Sequence, residues 1–204
     1  MKPILFSTEM VKAIMDGRKV VTRRVVKPQP DRYFEVSETP AYLYDVEFGK
    51  GTINPPCQPG DILWVRETWA YVLPYPYFYN DGSTCTEYIY KASEETYIDG
   101  YNGRWKPSIH MPRAAARLFL LVKNVRVERL NQITNEGILR EGLRSESCNV
   151  CVHMGGSGCE SCFAILKPFR ELWDSLNAKR GYSWDSNPWV WVIEFRRVDN
   201  ADNH

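Results

Sequence analysis

The sequence predicts an α+β fold that is mostly β, a small barrel carrying two or three short helices at its ends. Three observations lead there. Alternating or β-branched segments occur in all parts of the chain, the segments with helical spacing are short, and no internal repeat is visible. With 204 residues, 44% hydrophobic and 25% charged, the chain can bury one core of ordinary size, so a single domain over 1–204 is expected. It would carry insertions at about 28–56, 70–100 and 144–162. With 26 Lys plus Arg against 25 Asp plus Glu, the net charge is +1. That excludes a polyanion-coating tail and an acidic solvating segment. The longest apolar runs, Leu118 to Val122 and Trp189 to Ile193, fall far short of the ~20 residues that span a bilayer. The first residues hold only a four-residue apolar stretch, too short for the apolar region of a secretion signal. No membrane partner and a cytoplasmic location are therefore expected.

The elements follow in order. Ser7 and Thr8 precede Met10, Val11, Ile14 and Met15 at helical spacing, and Gly17 follows, which predicts a helix over 8–16. Lys19 to Lys27 is β-branched and stops at Pro28, as a strand does. From Pro28 to Pro59 the chain is rich in Pro, Tyr and acidic residues without a sustained period, an insertion with one hairpin at most. Gly60-Asp61 is a turn, and Ile62 to Glu67 is a buried strand that becomes polar at its far end. The Tyr-rich stretch from Pro74 to Tyr101 alternates only over Glu87 to Lys91. Arg117 to Leu130 reads as one long strand, or two around Lys123-Asn124. Thr134 opens a short helix through Arg140, closed at Gly142. Phe163 to Asn177 is strongly amphipathic, with Ile165, Leu166, Phe169, Leu172, Trp173 and Leu176 on one stripe; Pro168 is expected in its first turn. Trp189 to Val198 is the last strand.

The clearest local pattern is Cys148-x-x-Cys151, a Gly-rich loop, then Cys159-x-x-Cys162. Two such hooks offer four thiolates, the set that holds a tetrahedral zinc ion. In a reducing compartment clustered cysteines are metal ligands or free thiols more often than disulfides. A structural zinc that staples the insertion is expected; a zinc module that grips nucleic acid is the other reading. Four thiolates leave no position for a reactive water, which argues against catalytic zinc. His153 is a spare ligand, and Cys57 and Cys85 read as ordinary thiols.

Charge is balanced overall but not locally. Residues 12–32 hold Lys12, Arg18, Lys19, Arg23, Arg24, Lys27 and Arg32 against Asp16 and Asp31. Residues 104–130 hold Arg104, Lys106, Arg113, Arg117, Lys123, Arg126 and Arg129 against Glu128. A single positive face, with Trp and Tyr available for stacking, would suit a phosphate backbone and an unstacked base. Solvated strand edges with ordinary ion pairs are the plain alternative.

Gly17-Arg-Lys-Val-Val-Thr-Arg-Arg24, the Pro59-Gly-Asp-Ile-Leu63 turn and strand, and the closing Val192-Ile-Glu-Phe195 together resemble the ASCH family, whose fold is similar to the PUA domain. Ile62 to Trp69, Trp105 to Arg113 and Phe169 to Asp174 resemble longer ASCH proteins often found in phages and prophages. The resemblance implies a PUA-like β-barrel with a cleft that binds RNA, DNA or a modified nucleoside. One bacterial branch of the family is an amidohydrolase of N(4)-acetylcytidine that uses a Lys base, a Thr nucleophile and a Glu proton donor. On the Gly-x-Lys-x-x-Thr-x-Arg pattern the first two fall on Lys19 and Thr22. The Glu, by its place at the end of the helix before Gly142-Leu143, corresponds to Glu141. The large insertions of this chain are absent from that branch.

The chemistry stands without the family. Amide hydrolysis requires a deprotonated nucleophile, a donor for the leaving amine and positive charge near the oxyanion. Lys19 among Arg18, Arg23 and Arg24 sits with like charges that disfavour its ammonium. Thr22 would be the hydroxyl it activates, Glu141 the acid, and Arg24 an anion holder. Residues three apart on a regular strand face opposite sides, so Lys19 must lie in a turn or bulge to meet Thr22. Arg23, Arg24, Arg66, Glu67, Ser108 and His110 are candidates for substrate contact, with Trp69 available to stack a base and Trp64 assigned to the core. Two other functions stay open: a non-catalytic module that binds RNA or single-stranded DNA, and a nuclease using the same Lys and Arg residues.

Overall fold

The structure is a computed structural model that describes residues 1–30, 34–38, 41–45, 52–72, 87–93, 104–143 and 160–198. It is mixed α/β and mostly strand. The principal sheet has five strands in the order β1 (Lys2–Leu5), β6 (Ile62–Arg66), β9 (Phe119–Arg129), β10 (Trp189–Val198) and β2 (Val21–Val25). It is a mixed sheet: β1 and β6 are parallel, whereas β10 and β2 are antiparallel. A three-stranded sheet joins β3 (Phe34–Glu38), β4 (Ala41–Asp45) and β5 (Thr52–Ile53), and a two-stranded one joins β7 (Trp69–Val72) and β8 (Glu87–Tyr90). No closed barrel is found among the described residues. The sequence supplies the strands, but these five pair among themselves instead of extending the principal sheet into a closed ring.

The chain divides into two compact units, one of 1–16, 62–120 and 197–204, the other of 17–61 and 121–196. In the first unit β1 is aligned on β6 from Lys2 opposite Leu63 to Leu5 opposite Arg66, and the Phe6 N–H extends the pairing to the Arg66 carbonyl at 3.1 Å. Helix α1 (Thr8–Met15) starts where expected, its Ser7 side chain accepting from the Met10 N–H at 3.4 Å, and it buries Val11, Ala13 and Ile14. A small core of Trp69, Met111 and Ala115 forms under Tyr88 and Tyr90.

In the second unit, helix α2 (Asn135–Arg140) is capped by the Thr134 hydroxyl, which accepts from the Gly137 N–H at 3.1 Å; Gly142 ends it at φ 93°, a conformation open to glycine and costly for other residues. Helix α3 (Glu160–Asn177) lays Ile165, Phe169 and Trp173 against Val21, Leu130, Ile138, Val190 and Val192. Pro168 is inside this helix instead of in its first turn, because the helix begins at Glu160. Proline there removes one intrahelical hydrogen bond and crowds the carbonyl four residues earlier. The apolar face buried on both sides of Pro168 offsets that cost. β2 is shorter than the sequence suggests: Lys19 lies outside it, in an isolated bridge opposite Glu141.

Cys85, Cys148, Cys151, His153, Cys159 and His204 lie outside the described residues, as does the side chain of Cys162 on α3, so the zinc ligands belong to no described geometry. Cys57 is buried. Among the described residues no helix is long and apolar enough to cross a membrane.

Phe169 and Leu176 share the helical stripe in sequence, yet Phe169 is 4% exposed and Leu176 47%. Phe169→Ala is expected to cost about 3–5 kcal/mol in urea unfolding. Leu176→Ala is expected to stay within about 0.5 kcal/mol. Equal losses at both positions would contradict this placement of α3.

Candidate functional site

Lys19 and Glu141 meet in the second unit because backbone pairing brings their segments together. The Val20 N–H donates to the Arg140 carbonyl at 3.0 Å, and the Phe195 N–H donates to the Val20 carbonyl at 2.9 Å, so the stretch entering β2 is held between the end of α2 and β10. Both side chains are nearly inaccessible to solvent. The Lys19 Nζ donates to Glu141 Oε2 at 2.5 Å, to the Val21 carbonyl at 2.9 Å and to the Glu141 carbonyl at 3.0 Å.

Those three oxygens restrict the proton without fixing it on one atom. Carbonyl oxygens only accept, so the amine must present an N–H to each of the two carbonyls. The third contact tolerates either arrangement: an ammonium donating to a carboxylate, or a carboxylic acid donating to the lone pair of a neutral amine. Burial holds the Lys19 amine below its ordinary value of 10.5; Glu141 opposes that lowering, and Arg24 and Arg23 add smaller contributions to it. Of the like charges named by the sequence, Arg23 and Arg24 act in the direction expected, but loss of water is the larger cause.

Arg23 is a second partner of the carboxylate. Its Nη1 donates to Glu141 Oε1 at 3.1 Å, and its Nε donates to Glu128 Oε1 at 2.9 Å. Arg126 reaches Glu128 at 3.4 Å and Glu194 at 2.7 Å, and Arg140 reaches Glu194 at 3.2 Å. The charges therefore alternate from Lys19 through Glu141, Arg23, Glu128, Arg126 and Glu194 to Arg140, the residue just before Glu141. Arg18 donates to the Gly142 carbonyl at 2.6 Å beside the same helix end.

Thr22 is buried on β2 opposite Ile193. Strand alternation puts Thr22 and Arg24 on one face and Arg23 on the other. Glu141 acts across that division: it bonds Arg23 directly, and its charge raises the pKa of Arg24 against the lowering by burial. The structure thus joins Lys19, Glu141 and Arg23 by contact and Arg24 by charge, with Thr22 on the adjoining strand positions.

The remaining candidates are in the first unit. Glu67 is 1% exposed and is held by both oxygens: Arg117 Nε donates to Oε1 and Nη2 to Oε2, each at 2.9 Å. Arg117 also donates to the Ser93 hydroxyl at 2.6 Å, and its guanidinium carbon lies 4.0 Å from the Tyr90 ring centroid. Tyr90 donates to the Ala115 carbonyl at 2.7 Å, and burial is the first cause that pushes its pKa up to about 12. Arg66 donates to the Ile109 carbonyl and lies over the Trp64 ring. Ser108 and His110 bound a 3₁₀ turn, Ser108 partly buried and His110 exposed. Trp64 belongs to the core as expected. Trp69 is buried too, with the Lys106 ammonium 4.9 Å from its ring centroid and Tyr88 packed at 5.7 Å.

Sequence reasoning missed Glu128 and Arg117 as site residues. Glu128 had one legible signal, being the only acid within the second basic stretch. Arg117 had none, since its partner lies 50 residues earlier in the chain. Arg23, Arg117 and Arg126 are all spent on glutamates, whereas Lys27, Lys106, Arg113 and Lys123 are exposed. Comparison of the chain with protein-family models, curated proteins and solved structures finds no match.

Lys19→Met leaves the buried Glu141 carboxylate with Arg23 in contact and Arg24 acting by charge. An unfolding cost of about 3–5 kcal/mol is expected, much of it recovered in Lys19→Met/Glu141→Gln, where no half of the pair remains charged. Additive effects in the double-mutant cycle would show that the two side chains do not interact.

Proposed function

We propose that the protein hydrolyses the acyl group from an acylated exocyclic amine of a nucleobase, as in N(4)-acetylcytidine, on a PUA-like ASCH scaffold. The observation that carries this reading is the 2.5 Å contact between the buried Lys19 amine and the Glu141 carboxyl. It pairs a base with an acid in a setting where either can hold the proton.

The cycle starts from neutral Lys19 and protonated Glu141, whose proton turns from the Lys19 lone pair to the amide nitrogen when substrate binds, freeing the amine to accept a proton. Thr22 Oγ1 attacks the acyl carbon while its proton passes to Lys19 Nζ. The C–N bond then breaks, the leaving amine takes the Glu141 proton, and the acyl group stays on Thr22 as an ester. Water attacks that ester, giving one proton to the Glu141 carboxylate, and Lys19 returns its proton to Thr22 as the C–O bond breaks. One amide and one water become one carboxylic acid and one amine, and both residues regain their starting states. Arg24, on the Thr22 face of β2, supplies positive charge for the oxyanion. The fit of a flat base to this site, in a free nucleoside or presented by single-stranded RNA or DNA, is part of the proposal.

Purified protein is expected to release cytidine and acetate from acetylcytidine. Lys19→Met, Thr22→Val and Glu141→Gln should each lose about 10²-fold or more in kcat, the scale of a lost acid, base or nucleophile. Salt-dependent nucleic-acid binding by wild type with no turnover would replace hydrolysis with a binding role.

The proposal includes a structural zinc held by Cys148, Cys151, Cys159 and Cys162. About one zinc per chain is expected by elemental analysis, with a lower melting temperature after chelation. Metal-free protein with an unchanged melting temperature would remove the zinc without touching the hydrolysis.

A further inference from the structure

We propose that Glu128 is a positioning residue which, by holding Arg23, sets which member of the Lys19–Glu141 pair carries the shared proton. Its kinetic consequence rests on the hydrolase reading above; its structural content does not.

Arg23 is divided between two carboxylates, and unequally. Glu128 Oε1 takes its Nε at 2.9 Å and lies 2.8 Å from its Nη2, while Glu141 receives only Nη1, at 3.1 Å. The guanidinium has room for this because α2 presents Gly137 to it: a Cβ there would stand 3.1 Å from Arg23 Nη2. With Glu128 ionised, most of the Arg23 charge is answered on β9. Little of it then remains to stabilise a carboxylate at Glu141. Neutralising Glu128 would release Arg23 toward Glu141, favour the carboxylate, and leave the proton on Lys19 as an ammonium. The hydrolytic cycle needs the opposite distribution.

Other charges near the pair, among the described residues, have partners of their own or act on it from the far side of β2. Arg24 on β2 acts on both members from the Thr22 side, and Arg18 is tied to the Gly142 carbonyl. Arg140 on α2 is occupied by Glu194 on β10. Arg126 on β9 competes with Arg23 for Glu128, from 3.4 Å. Its position gives a test of opposite sign, because without Arg126 the Glu128 carboxylate is left to Arg23. Arg126 is also substantially exposed, so its replacement spares the core.

The experiment follows the Lys19 amine nitrogen and the Glu141 carboxyl carbon by NMR across pH in wild type, Glu128→Gln, Glu128→Asp and Arg126→Gln. Glu128→Gln should move the Glu141 signal toward the carboxylate, Glu128→Asp should restore it in large part, and Arg126→Gln should move it toward the acid. In acetylcytidine hydrolysis Glu128→Gln should lower kcat about tenfold across the whole pH profile, with KM unchanged, because the exchange of one proton within the pair does not depend on pH. If neither Glu128→Gln nor Arg126→Gln displaces the Glu141 signal in folded protein, the inference is overturned. Displaced signals with no turnover by wild type would sink the hydrolase reading alone; turnover with unmoved signals would sink this one alone.

Discussion

The second unit depends on one constraint: an amine and a carboxyl are brought together where water is nearly excluded, at the junction between the entrance of β2 and the end of α2. Removing two charges from water is costly, and their attraction offsets that cost only when the remaining hydrogen-bonding groups also find partners. Here they do. The amine meets two backbone carbonyls besides the carboxyl, and the second carboxyl oxygen meets Arg23. The backbone contributes to this, since the bond from the Val20 N–H to the Arg140 carbonyl ties the two segments together. Thr134 at the start of α2 and Gly142 after its end fix its length, and the apolar seam with α3 fixes its height above the sheet. The position of Glu141 is therefore a consequence of capping and packing as much as of charge.

Much of this architecture was legible in the sequence, for reasons that are local. A cap, an apolar period and a terminating glycine define α1 and α2, and β-branched runs define β2, β6, β9 and β10. What was not legible depends on partners distant in sequence. No period in residues 34–53 says that three strands there pair with one another, and no local feature separates an open sheet from a closed barrel. Pro168 shows the same limit inside a helix. Its neighbours Ile165 and Phe169 override its propensity because both face a core that the local sequence cannot display.

The site divides in the same way. Lys19 and Thr22 stand three apart in a short pattern, and Lys19 lies before the strand proper, in a bridge opposite Glu141. The residues that complete the charge network, Glu128 and Glu194, come from β9 and β10. Strand pairing alone makes them neighbours of β2. The expected positive face was read by counting basic residues, which cannot tell an exposed lysine such as Lys123 from an arginine such as Arg23 that is committed to two carboxylates.

The two units each bury a glutamate against a cation, and the difference between the cations separates structure from chemistry. Glu67 receives a guanidinium through both oxygens, and the same guanidinium is fixed by Ser93 and the Tyr90 ring. A guanidinium does not give up its proton under conditions in which a protein is folded, so Arg117 cannot act as a proton acceptor, and the pair ties the residue after β6 to Ser93 and Tyr90. Glu141 receives an amine, whose deprotonation is brought closer to neutrality by the burial that makes the pair costly. The heavy atoms of the Lys19–Glu141 pair are close enough for a single proton to pass between them, which is what the proposed chemistry uses. The acid–base role we propose is therefore placed on Lys19 and Glu141 in the second unit, and not on Glu67, whose partner is a guanidinium.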